Sequence, residues 1–539
     1  MNQNLNNVKE NIITVDVFDT LVIRNVVSPI DVFDMVGGKH FRYARIIAEL
    51  VARKLSKNEE VTLDEIYHFL PIKFKEKEIA IEKDVCKPNP KIYEIYKDLK
   101  AQGKKIYAIS DMYLPKDVIS DILKNCGYEL DGIYISSEVG LSKATGNLYK
   151  YFLNENNYDP KNVLHIGDNK TSDYNGANLV GINAILINKT ENKLTYLNKN
   201  NDYYLRGFVN HQLNQMDNRL DQIGFEVLGP ILVSFCQWIH SKRSEFNFEK
   251  LFFMSRDMHI VYDAYNMMYP EDDIAYIQIS RKSLQNARKS SVGLCEYLKK
   301  MGCLGNVAIV DTGWRCVAQP IIEYYAKSIQ NTSSIGGLYL GATTGYNYVP
   351  RHESSATCFY KSKIDYIKSQ TYTSSIESLL GYNEDKVVDY NQNGEPVLKT
   401  ETKRITEIQQ IQESALLFVN SWIENTNNRV IESRNAFSPY KHMQNDPLSK
   451  DIDLLESSEF DDKCTSYLVH YKNSIFHNPK IWLKNMSLSV WKGAYFKRSF
   501  KIYKPFYWSY LFLNSLYLSF VDIKQYRNKD LFYLMSYYK

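Results

Sequence analysis

The chain has 539 residues, 44% hydrophobic and 24% charged, with a formal net charge of +4. That length predicts three or four domains at ~150 residues each, with ordinary globular composition. So small a net charge gives no case for a nucleic-acid binder, which would show a clearly basic domain. The eight cysteines are 86, 126, 236, 295, 303, 316, 358 and 464. They form no C-x-x-C pair and have no His partner at zinc spacing, which predicts reduced thiols in a cytoplasmic protein. Residues 1–11 are polar and Asn-rich, without the apolar core of a secretory signal.

In chain order, residues 11–23 predict a first strand and its loop. Residues 28–100 read as helical. Ser28-Pro29 predicts a helix start with Pro at the first position, and Thr62-Leu63-Asp64-Glu65 reads as a capping box. Strands are predicted at 104–110, 132–136, 162–167 and 183–187, with helices between. Residues 191–222 are polar and predict a linker with some helix. A second α/β domain is expected over 223–395, with strands at 250–254, 274–279, 306–310 and 337–340. Residues 396–480 read as helical and polar, with a flexible stretch at 436–463. Residues 481–539 form an aromatic and basic terminal segment.

Four short segments in the first 175 residues carry the chemistry. They are Val15-Asp16-Val17-Phe18-Asp19-Thr20-Leu21, Ile109-Ser110-Asp111, Lys143, and Gly167-Asp168 with Asp173. The first, second and fourth each end an apolar run. Carboxylates, a hydroxyl and an amine would therefore lie at the carboxyl ends of neighbouring parallel strands, where open α/β sheets bind ligands. Any one of these residues alone could be a turn, a cap or a surface group. Together and in order, they suit an Asp nucleophile and a bound Mg²⁺ acting on a phosphoryl group.

This pattern resembles the haloacid dehalogenase superfamily over about residues 10–190. The resemblance implies a doubly wound parallel sheet with a helical cap at about 25–100. It implies Asp16 as the nucleophile, Ser110 on the phosphoryl group, and Lys143 orienting Asp16. It places Thr20 and Asp111 among the substrate-binding residues. The implied metal positions are Asp16, Phe18, Asp168 and Asp173, and the cofactor is Mg²⁺. Phe18 departs from the pattern, because phosphatases of this family usually carry a second Asp there as general acid/base. Side chains alternate along a strand, so Asp19 is not expected to replace it. An aromatic at this place also resembles the family's metal-free dehalogenases, but the Gly167–Asp173 loop keeps the metal acids. An inactive or regulatory domain is the other alternative.

The second domain has no G-x-G-x-x-G and no P-loop. Two predicted strand ends carry polar clusters, Ser255-Arg256-Asp257 and Asp311-Thr312-Gly313-Trp314-Arg315. A strand, a Gly-containing loop and a helix would present backbone N–H groups to an anion. Arg256, Arg281 and Arg315 would add phosphate contacts, with Asp257 and Asp311 beside them. Local pairing and a plain turn explain the same residues equally well. The layout to about residue 390, with Glu377 and Gly381–Tyr390, is similar to a bacterial group of predicted hydrolases. That group is associated with glycosyltransferases of capsule and surface-polysaccharide synthesis.

The resemblance implies a phosphorylated sugar or glycan intermediate as substrate and glycosyltransferases as partners. Two alternatives stand beside this enzyme. One is a glycosyl- or polyol-phosphate transferase with its activity in 223–395. The other is a catalytically impaired scaffold that binds a phosphorylated ligand. Near the C-terminus, 505–521 is an uncharged, aromatic-rich run just short of a ~20-residue membrane span. With its flanking lysines it predicts peripheral membrane contact through 482–539. Packing on the body and an oligomer contact are the competing readings.

Overall fold

The structure, a computed structural model, describes residues 8–189, 191–314, 318–342, 356–360, 373–381, 384–400, 406–455, 478–489 and 491–514. The chain divides into two compact units. The first comprises 1–194 and 199–215, the second 195–198 and 216–539. The expected linker is thus ordered and shared between them. Its helix Tyr203–Leu213 belongs to the first unit, while the backbone N–H groups of Thr195, Tyr196 and Leu197 all donate to the buried Glu226 carboxylate of the second.

The first unit is built on a five-stranded sheet in the order β5-β4-β1-β6-β7. These strands are β1 (Ile12–Val15), β4 (Lys105–Ser110), β5 (Gly132–Ile135), β6 (Val163–Gly167) and β7 (Asn183–Leu186), and every pairing is parallel. Parallel sheets are covered on both faces, so their strands read as continuous apolar runs. Ile106, Tyr107, Ala108 and Ile109 show this, all buried. Tyr107 and Ile109 join Leu148, Phe152 and Val163 in one apolar cluster.

A short antiparallel pair, β2 (Val22–Arg24) and β3 (Cys86–Pro88), closes the cap at its base. The continuous helical block expected to residue 100 is therefore interrupted at 86–88. The cap ends there, and the helix Pro90–Ala101 leads into β4. Within the cap, the Thr62–Glu65 capping box is present, with both reciprocal hydrogen bonds. The long stretch Asp31–Leu55 kinks at Gly37–Gly38, where Gly38 takes φ 74°. The first helix begins at Asp31, after Ser28 N–H donates to the Asp31 carboxylate, rather than at Pro29.

The second unit holds another parallel five-stranded sheet, in the order β12-β11-β10-β8-β9. Its strands are β8 (Lys250–Met254), β9 (Ile274–Ile277), β10 (Asn306–Trp314), β11 (Ser334–Ala342) and β12 (Ala356–Tyr360). The predicted loop Asp311–Trp314 is instead a continuation of β10. Asp311 pairs with Tyr339 and Gly313 with Gly341, and Gly313 has φ 91°. This stretch is strand and not the Gly-containing loop expected there. Arg315 lies outside the described residues.

The helical stretch Arg219–Phe246 is long and apolar enough to cross a membrane, but 83% of its most apolar window is buried inside the protein, as in a core helix. Near the C-terminus, residues 504–514 are helical. Tyr507 is buried there, while Phe506, Trp508 and Phe512 are exposed. The stretch expected to be flexible at 436–463 is instead largely helical over 436–455, in Ser433–Asn445 and Ser449–Leu455. Residues 456–463 and 515–539 lie outside the described residues.

Candidate active site

Strand register assembles the first unit's polar groups. Val15 pairs with Ala108 on one side and with Ile166 on the other. Asp16, Ser110 and Asp168 therefore leave neighbouring strands at one edge, and β1 lies where the direction of winding reverses. Asp16 N–H donates to the Ile166 carbonyl at 2.9 Å, which extends the ladder one residue past β1.

The buried Lys143 ammonium lies 2.5 Å from Asp16 Oδ1 and 2.6 Å from Asp173 Oδ1. Carboxylate oxygens of Asp16, Asp168 and Asp173 all fall within 4.8 Å of one another. Burial pushes Asp16 up to about 7 even beside Lys143, and Asp173 and Asp168 add to the rise. For Asp173, burial works the other way from the net effect. Lys143 and His165 outweigh it and hold the carboxyl below the usual range. Burial opposes the Lys143 charge too, but Asp16 and Asp173 keep it well above its ordinary value. Asp168 is raised chiefly by burial, against the pull of Lys189, whose ammonium is 3.1 Å away.

Three buried carboxylates thus face one buried ammonium. A hard divalent cation with oxygen ligands suits that deficit of positive charge, so the donor set fits Mg²⁺. Asp16 and Asp168 would be its direct ligands. Asp173, the third acid of the cluster, would support the metal from the same loop. One of its oxygens already accepts from Lys143, and the other accepts from Asn169 N–H at 2.8 Å. It anchors Lys143 and the loop. Two glycines permit this closeness. A Cβ on Gly167 would stand 2.3 Å from the Asp173 carboxyl carbon, and one on Gly176 would stand 2.1 Å from the Lys143 carbonyl oxygen.

Asp111 is tied to the Lys143 loop. Its carboxylate accepts from Ser142 Oγ at 3.0 Å and from Lys143 N–H at 2.8 Å. It fixes the lysine's backbone. Ser110 is buried at the end of β4, and Thr20 is buried with a hydroxyl that has no hydrogen-bond partner among the described residues. Phe18 offers no side-chain oxygen to a metal. The Arg24 guanidinium lies 4.1 Å from its ring centroid and pairs with Glu82 of the cap at 2.8 Å. Phe18 is therefore a cation–π shelf at the base of the cap. β1 has ended before Asp19, so strand alternation does not govern that side chain. Asp19 is exposed at φ 59°, and its charge bears on both Asp168 and Lys189.

Two participants escaped the sequence reading. His165, level with Thr14 across the sheet, lies 2.9 Å from the Thr14 hydroxyl and 3.4 Å from Asp173. Burial lowers its pKa and favours the neutral ring. A histidine two places before Gly167-Asp168 inside an apolar strand was the available signal. Glu59 of the cap accepts from Ser142 N–H at 2.8 Å, Thr145 Oγ1 at 2.7 Å and Asn147 Nδ2 at 2.6 Å. It holds the same Lys143 loop that Asp111 does. A surface Glu in a polar turn carries no sequence signal for that task. Arg256, Asp257 and Asp311 belong to the second unit and its own sheet.

Residues 12–181 match the family model described as haloacid dehalogenase-like hydrolase. This stretch is a haloacid dehalogenase-like domain. No curated protein matches the chain. A predicted phosphoglycolate phosphatase from Haemophilus somnus is a similar solved structure, at 18% identity over 33% of this chain and 85% of that one, with a TM-score of 0.25. A phosphatase from Thermococcus onnurineus is similar at 18% identity over 34% and 89%, with a TM-score of 0.26. An L-2-haloacid dehalogenase from Xanthobacter autotrophicus is similar at 15% identity over 34% and 79%, with a TM-score of 0.27.

Proposed function

We propose that the first unit is a Mg²⁺-dependent phosphohydrolase or phosphoryl-transfer enzyme acting on a phosphorylated sugar or glycan intermediate. The observation that supports it is the Asp16–Lys143–Asp173 arrangement beside Asp168. A carboxylate nucleophile is held by an ammonium, next to a second acid fit for a metal. An Asp16 oxygen attacks phosphorus in line, an Asp16–phosphate bond forms, and the bond from phosphorus to the leaving oxygen breaks. Water then attacks phosphorus and releases phosphate and free Asp16. Lys143 orients the nucleophile, and Ser110 contacts the phosphoryl group from the end of β4. Mg²⁺ would supply charge neutralisation on the phosphoryl oxygens, held by Asp16 and Asp168.

Phe18 carries no proton, so the leaving oxygen must be a weak base or take its proton from Asp19 or water. Slow turnover of alkyl phosphates follows, with faster turnover of aryl and anomeric phosphates. The cap favours a small phosphorylated substrate by closing the site from water. The role in surface-polysaccharide synthesis rests on the likeness of the layout to glycosyltransferase-associated hydrolases. The test is phosphate release from a panel of sugar phosphates and an aryl phosphate. Release that needs Mg²⁺, stops with EDTA and is absent in Asp16→Asn supports the reading. Release unchanged in Asp16→Asn overturns it.

A further inference from the structure

The second sheet has a switch point of its own. Its strands, counted within the unit, lie in the order 2-1-3-4-5, so the winding reverses between β8 and β10. Open parallel sheets of this order bind ligands at the carboxyl ends of those two strands. Phe253 pairs with Val310 and Met254 with Ile277. Ser255-Arg256-Asp257 and Asp311 therefore emerge side by side, and Arg281 opens the helix that follows β9.

Arg256, Asp257 and Asp311 are half-buried and Arg281 is exposed. Burial pushes Asp311 up to about 6, the Asp257 charge adds to that, and Arg281 opposes it. The Asp311 carboxylate also accepts from the N–H groups of Thr312 and Gly313. Arg256 and His259 both bear on Glu384, which accepts from the Tyr276 hydroxyl. His259 meets Tyr276 edge-on at 5.1 Å and lies 3.2 Å from Asp263. Mixed charge thus gathers at the carboxyl edge where the winding of this sheet reverses.

We propose that this edge is a second ligand site, taking a small phosphorylated polyol or sugar, with Arg256 and Arg281 on the phosphate and Asp257 and Asp311 on the hydroxyls. Guanidinium groups match phosphate oxygens in pairs. Ionised carboxylates accept from hydroxyls and repel a second anionic group. The ligand must therefore be anionic at one end and neutral and hydroxylated at the other. The turn after β8 lacks glycine, and the chain lacks a dinucleotide fingerprint, so a dinucleotide does not suit the site.

Hydrogen exchange on the full-length Asp16→Asn protein tests this without turnover in the first unit. The probes are glucose 1-phosphate, ribose 5-phosphate and glycerol 3-phosphate at millimolar concentration, with glucose and inorganic phosphate as controls. The expected result is slowed exchange over 254–258 and 309–313 with at least one ester and neither control. Arg281→Gln and the milder Arg281→Lys should each weaken that protection about ten-fold, the scale of a lost charged hydrogen bond. Protection of the first unit's loops should stay unchanged in both. No protection of the second unit by any ester overturns the proposal. So does protection matched by inorganic phosphate, or protection indifferent to both Arg281 variants.

Discussion

The two parallel sheets solve the same geometric problem with different chemistry. Each gathers charged side chains at the carboxyl edge, next to the point where its winding reverses. In the first sheet the charges are buried and already paired. Lys143 bridges Asp16 and Asp173, and His165 and Thr14 back them from within the sheet. In the second sheet Arg256, Asp257 and Asp311 are half-buried, and Arg281 is exposed. Burial fixes a nucleophile's geometry before substrate arrives, which suits bond-making. Open, mixed charge suits recognition. A shared fold therefore says where to look, and the wiring at that place says what is done there.

The comparison breaks most easily at Asp16. Asp16→Asn should lower phosphate release by at least about 10⁴-fold, the scale seen when a nucleophile is removed. Ligand protection in the second unit should be unaffected. Loss of both would mean that the two sheets are not separate sites. Next is Asp111, which the comparison treats as wiring. Asp111→Asn keeps one acceptor oxygen and loses the charge that holds Ser142 Oγ and Lys143 N–H. A kcat lower by about 30-fold with little change in KM is expected, from the ~2 kcal/mol of a charged hydrogen bond. A rise in KM alone would return Asp111 to substrate binding.

Much of this wiring could be read before the fold was seen. Apolar strands ending in Asp16, Ser110 and Asp168 are legible because a parallel strand buried on both faces leaves few other patterns. Lys143 was legible only by its order among the motifs, since its loop has no periodicity. The role of Phe18 was not legible, because it depends on Arg24 and Glu82 meeting from two different elements. Asp311 was placed in a loop because Gly313 reads as a turn. Pairing with β11 overrode that local preference and drew 311–314 into the strand. The order of segment 191–215, which carries the unit boundary and a helix, was not legible for a related reason. Its polar residues are satisfied by distant partners such as Asn210, which accepts from Lys193 N–H at 2.8 Å.

A smaller effect is expected at Glu59, where the cap grips the Lys143 loop. Glu59→Ala removes three acceptor contacts at an exposed site, and Glu59→Gln keeps part of them. Exposure limits each contact, so kcat should fall about ten-fold for Ala and by only a few-fold for Gln. Thermal stability should scarcely change. Equal losses in both variants would point to the charge itself, and no loss would leave the grip without a catalytic consequence.

The smallest expected effect sharpens the contrast from the second sheet. The Asp311 carboxyl is raised from its ordinary value to about 6, by burial and then by Asp257. An acid raised on folding binds its proton more tightly in the folded state. Stability is therefore lost as pH climbs from about 4 to about 6, and acidification within that window restores it. Asp311→Asn removes this contribution. The variant should match the wild type near pH 4 and melt roughly 1–2 °C higher above pH 6, the shift that about 1 kcal/mol gives a unit of this size. A phosphorylated polyol bound through Arg281 should narrow the difference, because its hydroxyls stabilise the charged carboxylate. Wild type and variant melting alike at every pH would show that Asp311 is not held against its charge, and the second sheet would lose the electrostatic tension that separates it from an ordinary turn.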